Sequence, residues 1–233
     1  MRRAGLTLAW IVIASLFLVA CGGNEGQQRA AFVQFLQTRI LDKPGLHVPK
    51  LTDEEKASFG PYADHYAVIT DFNQAMDDSV STKFQAAMQE GAIRSISDVV
   101  TGRARLETAR AGFKEMGGAL STALARADAA HARLNQPPDL KATYDKAYAR
   151  LVTEPAASFK DLVPLMDKVL GQAIELGQYI DEHRSSVRLS GPMVETSNPA
   201  IQSAINEKLS ALQSNQEAVN AAQSRVRSIM YGS

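Results

Sequence analysis

Only one of the 233 residues is cysteine, at position 21, so no disulfide can form within the chain. Any fold must be held by its core alone. Aromatic residues make up 6 % of the chain, tryptophan occurs once, and β-branched runs are scarce, which leaves a sheet-based core little to draw on. Positive charge is not in excess: 25 Lys and Arg stand against 25 Asp and Glu. That balance excludes the basic footprint of a nucleic-acid-binding protein and the polybasic segment of a membrane-surface binder. No Gly-x-Ser-x-Gly elbow is present. Gly112 and the Gly117-Gly118 pair have phosphate-loop spacing but lack the Lys-Ser/Thr ending. Short-period repeats and low-complexity tracts are absent. The longest apolar run, Leu6 to Ala20, falls short of the roughly 20 residues a spanning helix needs, and Thr7 and Ser15 dilute it further.

What is there begins with that run. Arg2 and Arg3 precede it and a small residue closes it, the pattern of a secretory signal rather than of a transmembrane anchor. Its end, Leu18-Val19-Ala20-Cys21, resembles the lipobox of bacterial lipoproteins. The resemblance implies cleavage between Ala20 and Cys21, lipidation of the Cys21 thiol, and Cys21 as the mature N-terminus. Stable anchoring takes two lipid signals, so the three acyl chains implied for such a protein would hold it permanently. Gly22 stands where an Asp retains lipoproteins at the inner membrane of enteric bacteria. Under that rule the destination is the periplasmic face of the outer membrane. Removal of 20 residues from 233 leaves 213, enough for a substantial core, with 23 basic against 25 acidic residues. The expected organisation is a signal peptide over 1–20, a lipidated Cys with a short polar tether over 21–28, and a helical domain over 29–233.

Helical periodicity dominates the rest. Phe32, Phe35, Leu36 and Ile40 share one face, and Asp42-Lys43-Pro44-Gly45 ends it. Thr52-Asp53-Glu54-Glu55 fits a capping box, and Gly60-Pro61 breaks the turn it opens. Tyr62, Tyr66, Ile69, Met76 and Val80 form the next stripe, flanked by Phe72, Phe84 and Met88 and stopped at Gly91. Leu106, Phe113, Leu120, Ala127 and Leu134 then recur every seven residues, with Ala109, Met116, Ala123 and Ala130 between them, an a/d seam. Pro137-Pro138 stops it. Asp139 is expected to cap a short helix carrying Leu140, Tyr144, Tyr148 and Leu151 and ended before Pro155. Phe159 to Ile180 builds another, with Pro164 as a kink or a start. Residues 186–196 alternate weakly and read as an irregular crossover, a small hairpin being the alternative. Ser197 or Asn198 caps the last helix, whose seven-residue repeat of Ile205, Leu212, Val219 and Val226 is interrupted by Lys208 and Asn215. Long helices joined by short loops give an all-α, elongated antiparallel bundle.

Chemistry is harder to find. Asp128 and His131 lie one turn apart, a spacing able to hold a metal, but two ligands do not make a zinc site. His131 near a seam reads as a hydrogen-bonded packing residue. Asp64-His65 and Glu182-His183 are adjacent and point apart on a helix. The acidic groups Asp53, Glu54, Glu55, Asp77 and Asp78 read as helix-end caps and dipole partners. Arg94, Arg103, Arg105 and Arg110 are interleaved with Asp98 and Glu107 as a mixed solvated face, the competing reading being contact with lipid phosphates or an acidic partner. The stripe of Tyr62, Tyr66, Phe72 and Phe84 reads as core. No catalytic residue, metal site or cofactor is assigned.

Several blocks, taken in order, resemble the YiaF-type lipoproteins, a family of enteric bacteria with an uncharacterised domain. They are Gln28-Arg-Ala-Ala-Phe-Val-Gln-Phe-Leu-Gln37, Leu51-Thr-Asp-Glu-Glu-Lys-Ala-Ser-Phe-Gly-Pro61 with Tyr66-Ala-Val-Ile69, and Ala127-Asp-Ala-Ala-His131 leading to Asp139-Leu-Lys141. The resemblance covers Cys21 to about residue 190. It implies a tethered helical domain and transfers no mechanism. The functional expectation is a non-enzymatic envelope protein, tethered through its acyl chains, that presents a surface to another envelope component. The alternative is a carrier of a small apolar or lipid ligand between its helices, suggested by Met76, Met88, Met116 and Met166 among the aromatics.

Overall fold

The computed structural model describes residues 22–190 and 193–232. Ala20 and Cys21, with the whole expected signal, lie outside that range. The described residues open on α1 (Gly22–Phe35), carried on by a π-turn at Leu36–Leu41. Residues 22–28, expected as a polar tether, are therefore the first turns of this helix. Glu25 explains part of the difference: its carboxylate accepts a 2.5 Å hydrogen bond from the Tyr62 hydroxyl, tying the segment to the bundle. The capping box forms as its spacing predicts, with the Thr52 hydroxyl accepting from Glu55 N–H and the Glu55 carboxylate accepting from Thr52 N–H. It opens α2 (Asp53–Phe59).

Four rods then run back and forth. The first is α3 (Tyr62–Met76), a π-turn at Asp77–Ser81, and α4 (Thr82–Glu90), stopped at Gly91. A short α5 (Ile96–Thr101) follows, opened by a second capping box between Ser95 and Asp98. The second rod is α6 (Arg103–His131), whose inner face is the heptad seam: Leu106, Ala109, Phe113, Met116, Leu120 and Ala127 are buried. The third is α7 (Pro138–Tyr148), a π-turn at Ala149–Thr153, and α8 (Glu154–Glu182). The fourth is α9 (Pro199–Ser214) and α10 (Gln216–Tyr231). Between the last two rods the expected irregular crossover takes its alternative form, a small hairpin of β1 (Arg188–Ser190) antiparallel to β2 (Met193–Glu195), with Leu189 opposite Val194. The protein is an all-α bundle.

Two expectations about the third rod are corrected. Asp139 is not a cap: Pro137 is the N-cap residue, Pro138 opens the helix, and Asp139 sits in its first turn, 3.4 Å from Arg29. Nor does the helix end before Pro155. Tyr148 and Glu154, on either side of the π-turn, both keep right-handed helical angles, so the rod is continuous over 138–182. Pro155 offers no N–H to the carbonyl four residues back, that of Leu151. The π-turn spreads the ladder at that point, and the Asn73 amide stands 3.5 Å from the Leu151 oxygen. Pro164 likewise lies inside α8 without ending it. The last helix, in contrast, is two helices. Asn198 caps the first through bonds from Ala200 and Ile201 N–H. Asn215, which interrupts the heptad, is the joint: it is buried and donates to the Gln172 side chain at 2.9 Å and to the Ala211 carbonyl at 2.6 Å.

The rods pack in alternating directions. Arg110 meets Asp167 and Gly117 meets Val163 across α6 and α8, an antiparallel register. One continuous core links them, from Phe32 and Tyr66 at one end to Val99 and Ile205 at the other. No described helix is long and apolar enough to cross a membrane.

Candidate functional site

The sequence offers Asp128 and His131 as a pair. The structure gives them separate partners. The Tyr148 hydroxyl donates to Asp128 at 2.7 Å, while His131 Nε2 lies 2.9 Å from the Asp145 carboxylate, which Lys141 also reaches. The His131 ring stacks on Tyr148 with centroids 4.1 Å apart. Burial pushes the Asp145 carboxyl up, yet Lys141 and His131 together outweigh it and hold the group below the usual carboxylate range. Burial and the Asp128 carboxylate raise Tyr148 and keep its hydroxyl a donor. This is a hydrogen-bonded clasp between α6 and α7. Among the described residues no three metal-ligating side chains are grouped.

The other candidates are also taken up structurally. His65 Nδ1 lies 3.1 Å from the Gln136 amide, and burial holds its imidazole below the usual value, favouring the neutral ring that accepts there. His183 Nδ1 faces the Tyr179 carbonyl of its own helix. His47 is exposed. Asp53 pairs with Lys56 and Asp78 accepts from Gln74. Among the arginines, Arg110 forms a fork on Asp167, with Nε at 2.7 Å and Nη2 at 3.1 Å. Arg105 donates to the carbonyls of Glu90 and Ala92 at the end of α4, and Arg103 reaches Glu107. Arg94 is different. Its side chain is exposed and makes no hydrogen bond or ion pair among the described residues.

Arg94 lies on the rim of a groove that the sequence does not reveal. The groove runs between the 93–99 segment, α8, β2 and α9 and encloses about 540 Å³, within the roughly 300–1,000 Å³ typical of small-molecule sites. Its floor is apolar: Ile96, Val99, Leu176 and Ile205 are buried or nearly so, with Leu209 and Leu212 beside them. Ile93 and Met193 stand at its mouth, 38 % and 59 % exposed. The capping box of Ser95 and Asp98 sets the near wall, since the backbone N–H groups of Arg94 and Ser95 both donate to the Asp98 carboxylate and hold it below its ordinary pKa. The signal for that wall is the Ser-x-x-Asp spacing. The methionines expected to mark a ligand site do not line the groove: Met76, Met116 and Met166 are buried in the core and Met88 packs against it. The aromatic stripe is core, as its spacing predicts, with Phe84 edge-on to both Phe113 and Phe159.

Position gives the groove its interest. The contacts of Glu25 with Tyr62 and of Arg29 with Asp139 place the start of α1 at one end of the bundle. Leu176, on the groove floor, lies about 55 Å along the third rod from Asp139 at 1.5 Å per residue. The N-terminal end of the described chain and the groove are at opposite ends.

Among known proteins, the family described as a protein of unknown function (DUF3053) matches residues 8–227. The uncharacterized protein YiaF of Escherichia coli (strain K12) is 30 % identical over 217 residues, which covers 90 % of this chain and 91 % of YiaF. YiaF of Shigella flexneri matches to the same extent. No solved structure matches the chain.

Proposed function

The chain belongs to DUF3053, a protein family of unknown function, and from that premise we propose that it is a lipid-anchored protein of the cell envelope that works by binding, without catalysis. Cys21 is the anchor in this reading, and the outer membrane's periplasmic face is the location. The observation that carries the binding role is the open apolar groove at the end remote from the anchor. Exposed Ile93 and Met193 at its mouth, above the buried apolar side chains of its lining, support that role. A scaffold that presents a surface and a carrier that holds an apolar ligand would both use this groove.

The test is a photoreactive residue at Met193 in the full-length protein in living cells, with Arg133, exposed and at the other end of α6, as control. A recurrent adduct at Met193, detected as a discrete mass increase and absent at Arg133, is expected. Equal labelling at both positions, or none at either, counts against the binding role.

A further inference from the structure

The rim of the groove carries two charges from different elements. Arg94 extends from the segment before α5, and Glu195 from β2. Both are exposed, and neither forms an ion pair or side-chain hydrogen bond among the described residues. This sets Arg94 apart from Arg103, Arg105 and Arg110, all of which are engaged. It also means that the two rim charges do not neutralise each other. An apolar floor beneath a cation and an anion so placed is complementary to a particular chemistry: an alkyl chain ending in a head group that holds both signs. A neutral glyceride would leave both charges unanswered, a fatty acid would answer only Arg94, and an alkylammonium only Glu195. Apolar side chains from Ile96 to Leu212 dominate the lining, with Gln202 and Asn206 as its amides, and the groove has the volume of a small-molecule site.

We propose that the groove holds a single-chain zwitterionic amphiphile of the lysophospholipid type, its chain along the Leu176–Leu209 floor, its phosphate on Arg94 and its ammonium group on Glu195. The proposal rests on the binding role argued above and names its ligand. Burial of the chain supplies most of the affinity, since every methylene removed from water adds to it. The rim charges supply selectivity, because a guanidinium meets phosphate in a planar fork and a carboxylate meets ammonium as a point charge.

The experiment uses the full lipidated chain in nanodiscs and palmitoyl-lysophosphatidylethanolamine carrying a photoreactive diazirine in its chain. Saturable labelling at Met193, Leu209 or their neighbours is expected. Unlabelled lysophosphatidylethanolamine should compete about tenfold better than palmitate or monopalmitoylglycerol, about 1.4 kcal/mol of discrimination. Arg94→Ala and Glu195→Gln should each reduce that preference to within about twofold while leaving chain labelling in place, since the floor is untouched. Both positions are exposed, so the fold should survive, and an unchanged thermal midpoint verifies it. Labelling that does not saturate, or monopalmitoylglycerol competing equally well, overturns the proposal. A protein adduct at Met193 in cells, with no amphiphile bound in nanodiscs, overturns the ligand but leaves the binding role standing. Absence of both sinks the two together.

Discussion

Gly177 of α8 packs directly beneath the carbonyl of Val99, so close that a Cβ on the glycine would fall inside the van der Waals boundary of the oxygen. The obstacle is backbone, which cannot rotate aside. Gly177→Ala should therefore push α5 off α8 and destabilise the protein by about 1–3 kcal/mol. Gly118, on α6, has nothing within 4 Å of the point where an alanine methyl would sit, and Gly118→Ala should gain about 0.5–1 kcal/mol through backbone entropy. Urea midpoints of the two variants should move in opposite directions. A midpoint for Gly177→Ala at or above wild type would mean that α5 does not rest on α8 at this point.

Leu120 tests the seam. It is fully buried at the centre of α6, and Leu120→Ala should cost about 2–5 kcal/mol, a large share of a domain's net stability. Arg133 is exposed beyond the end of that helix, and Arg133→Ala should stay within about 0.5 kcal/mol of wild type. Equal denaturation midpoints for these two variants would refute the register.

Most of the fold is legible in the chain because its local signals agree with its tertiary packing. The heptad of α6, the Thr52 box and the Asn198 cap all appear where periodicity and capping chemistry put them. The departures share a cause. Local rules make Pro155 a stop and Asp139 a cap, whereas a π-turn and the double proline at 137–138 reassign both roles. The polar residues 22–28 carry too little apolar surface to announce a helix; the partner that holds them, Tyr62, is far away in sequence. The groove is hidden for the same reason. Its walls come from segments around 95, 176, 194 and 205, and no single window contains the pattern.

Acid should weaken the bundle through its paired carboxylates. The Arg110 fork holds the Asp167 carboxyl below its ordinary value, with Lys114 adding to the effect. A group depressed in the fold contributes stability that is fully present above its unfolded pKa, about 3.9 for Asp, and that drains away as pH falls through the lower folded value. The Asp167 contribution should thus be constant from neutral to about pH 5 and decline below about pH 4. Burial holds the His65 imidazole below its usual value, so that group already costs stability as pH falls below about 6.5. Asp167→Asn should lower stability at neutral pH and flatten the acid limb. Partly exposed pairs of this kind contribute about 1 kcal/mol or less. Chemical denaturation repeated from neutral pH down to about pH 2 measures both effects; an acid limb unaltered in Asp167→Asn would remove the fork from the account.

The anchor has its own test. Cys21→Ala removes the thiol that would accept lipid, and processing at Ala20 should fail with it. Palmitate label should be lost, and the uncut chain should fractionate with the inner membrane. Label retained by the alanine variant would refute the lipoprotein reading of Leu18-Val19-Ala20-Cys21.

The continuous run of residues 138–182 is in mechanical terms a boom. No loop interrupts it, so a tilt at its Asp139 end is delivered undiminished to the far tip. Pivoting on the lipid proposed at Cys21, a groove carried about 55 Å along that boom sweeps a hemisphere over the membrane. One binding site confined to such a space is present at a few millimolar, about the effective concentration of a short flexible linkage. Ligands arising within that sweep need only weak intrinsic affinity to be caught, and weak affinity lets them go again.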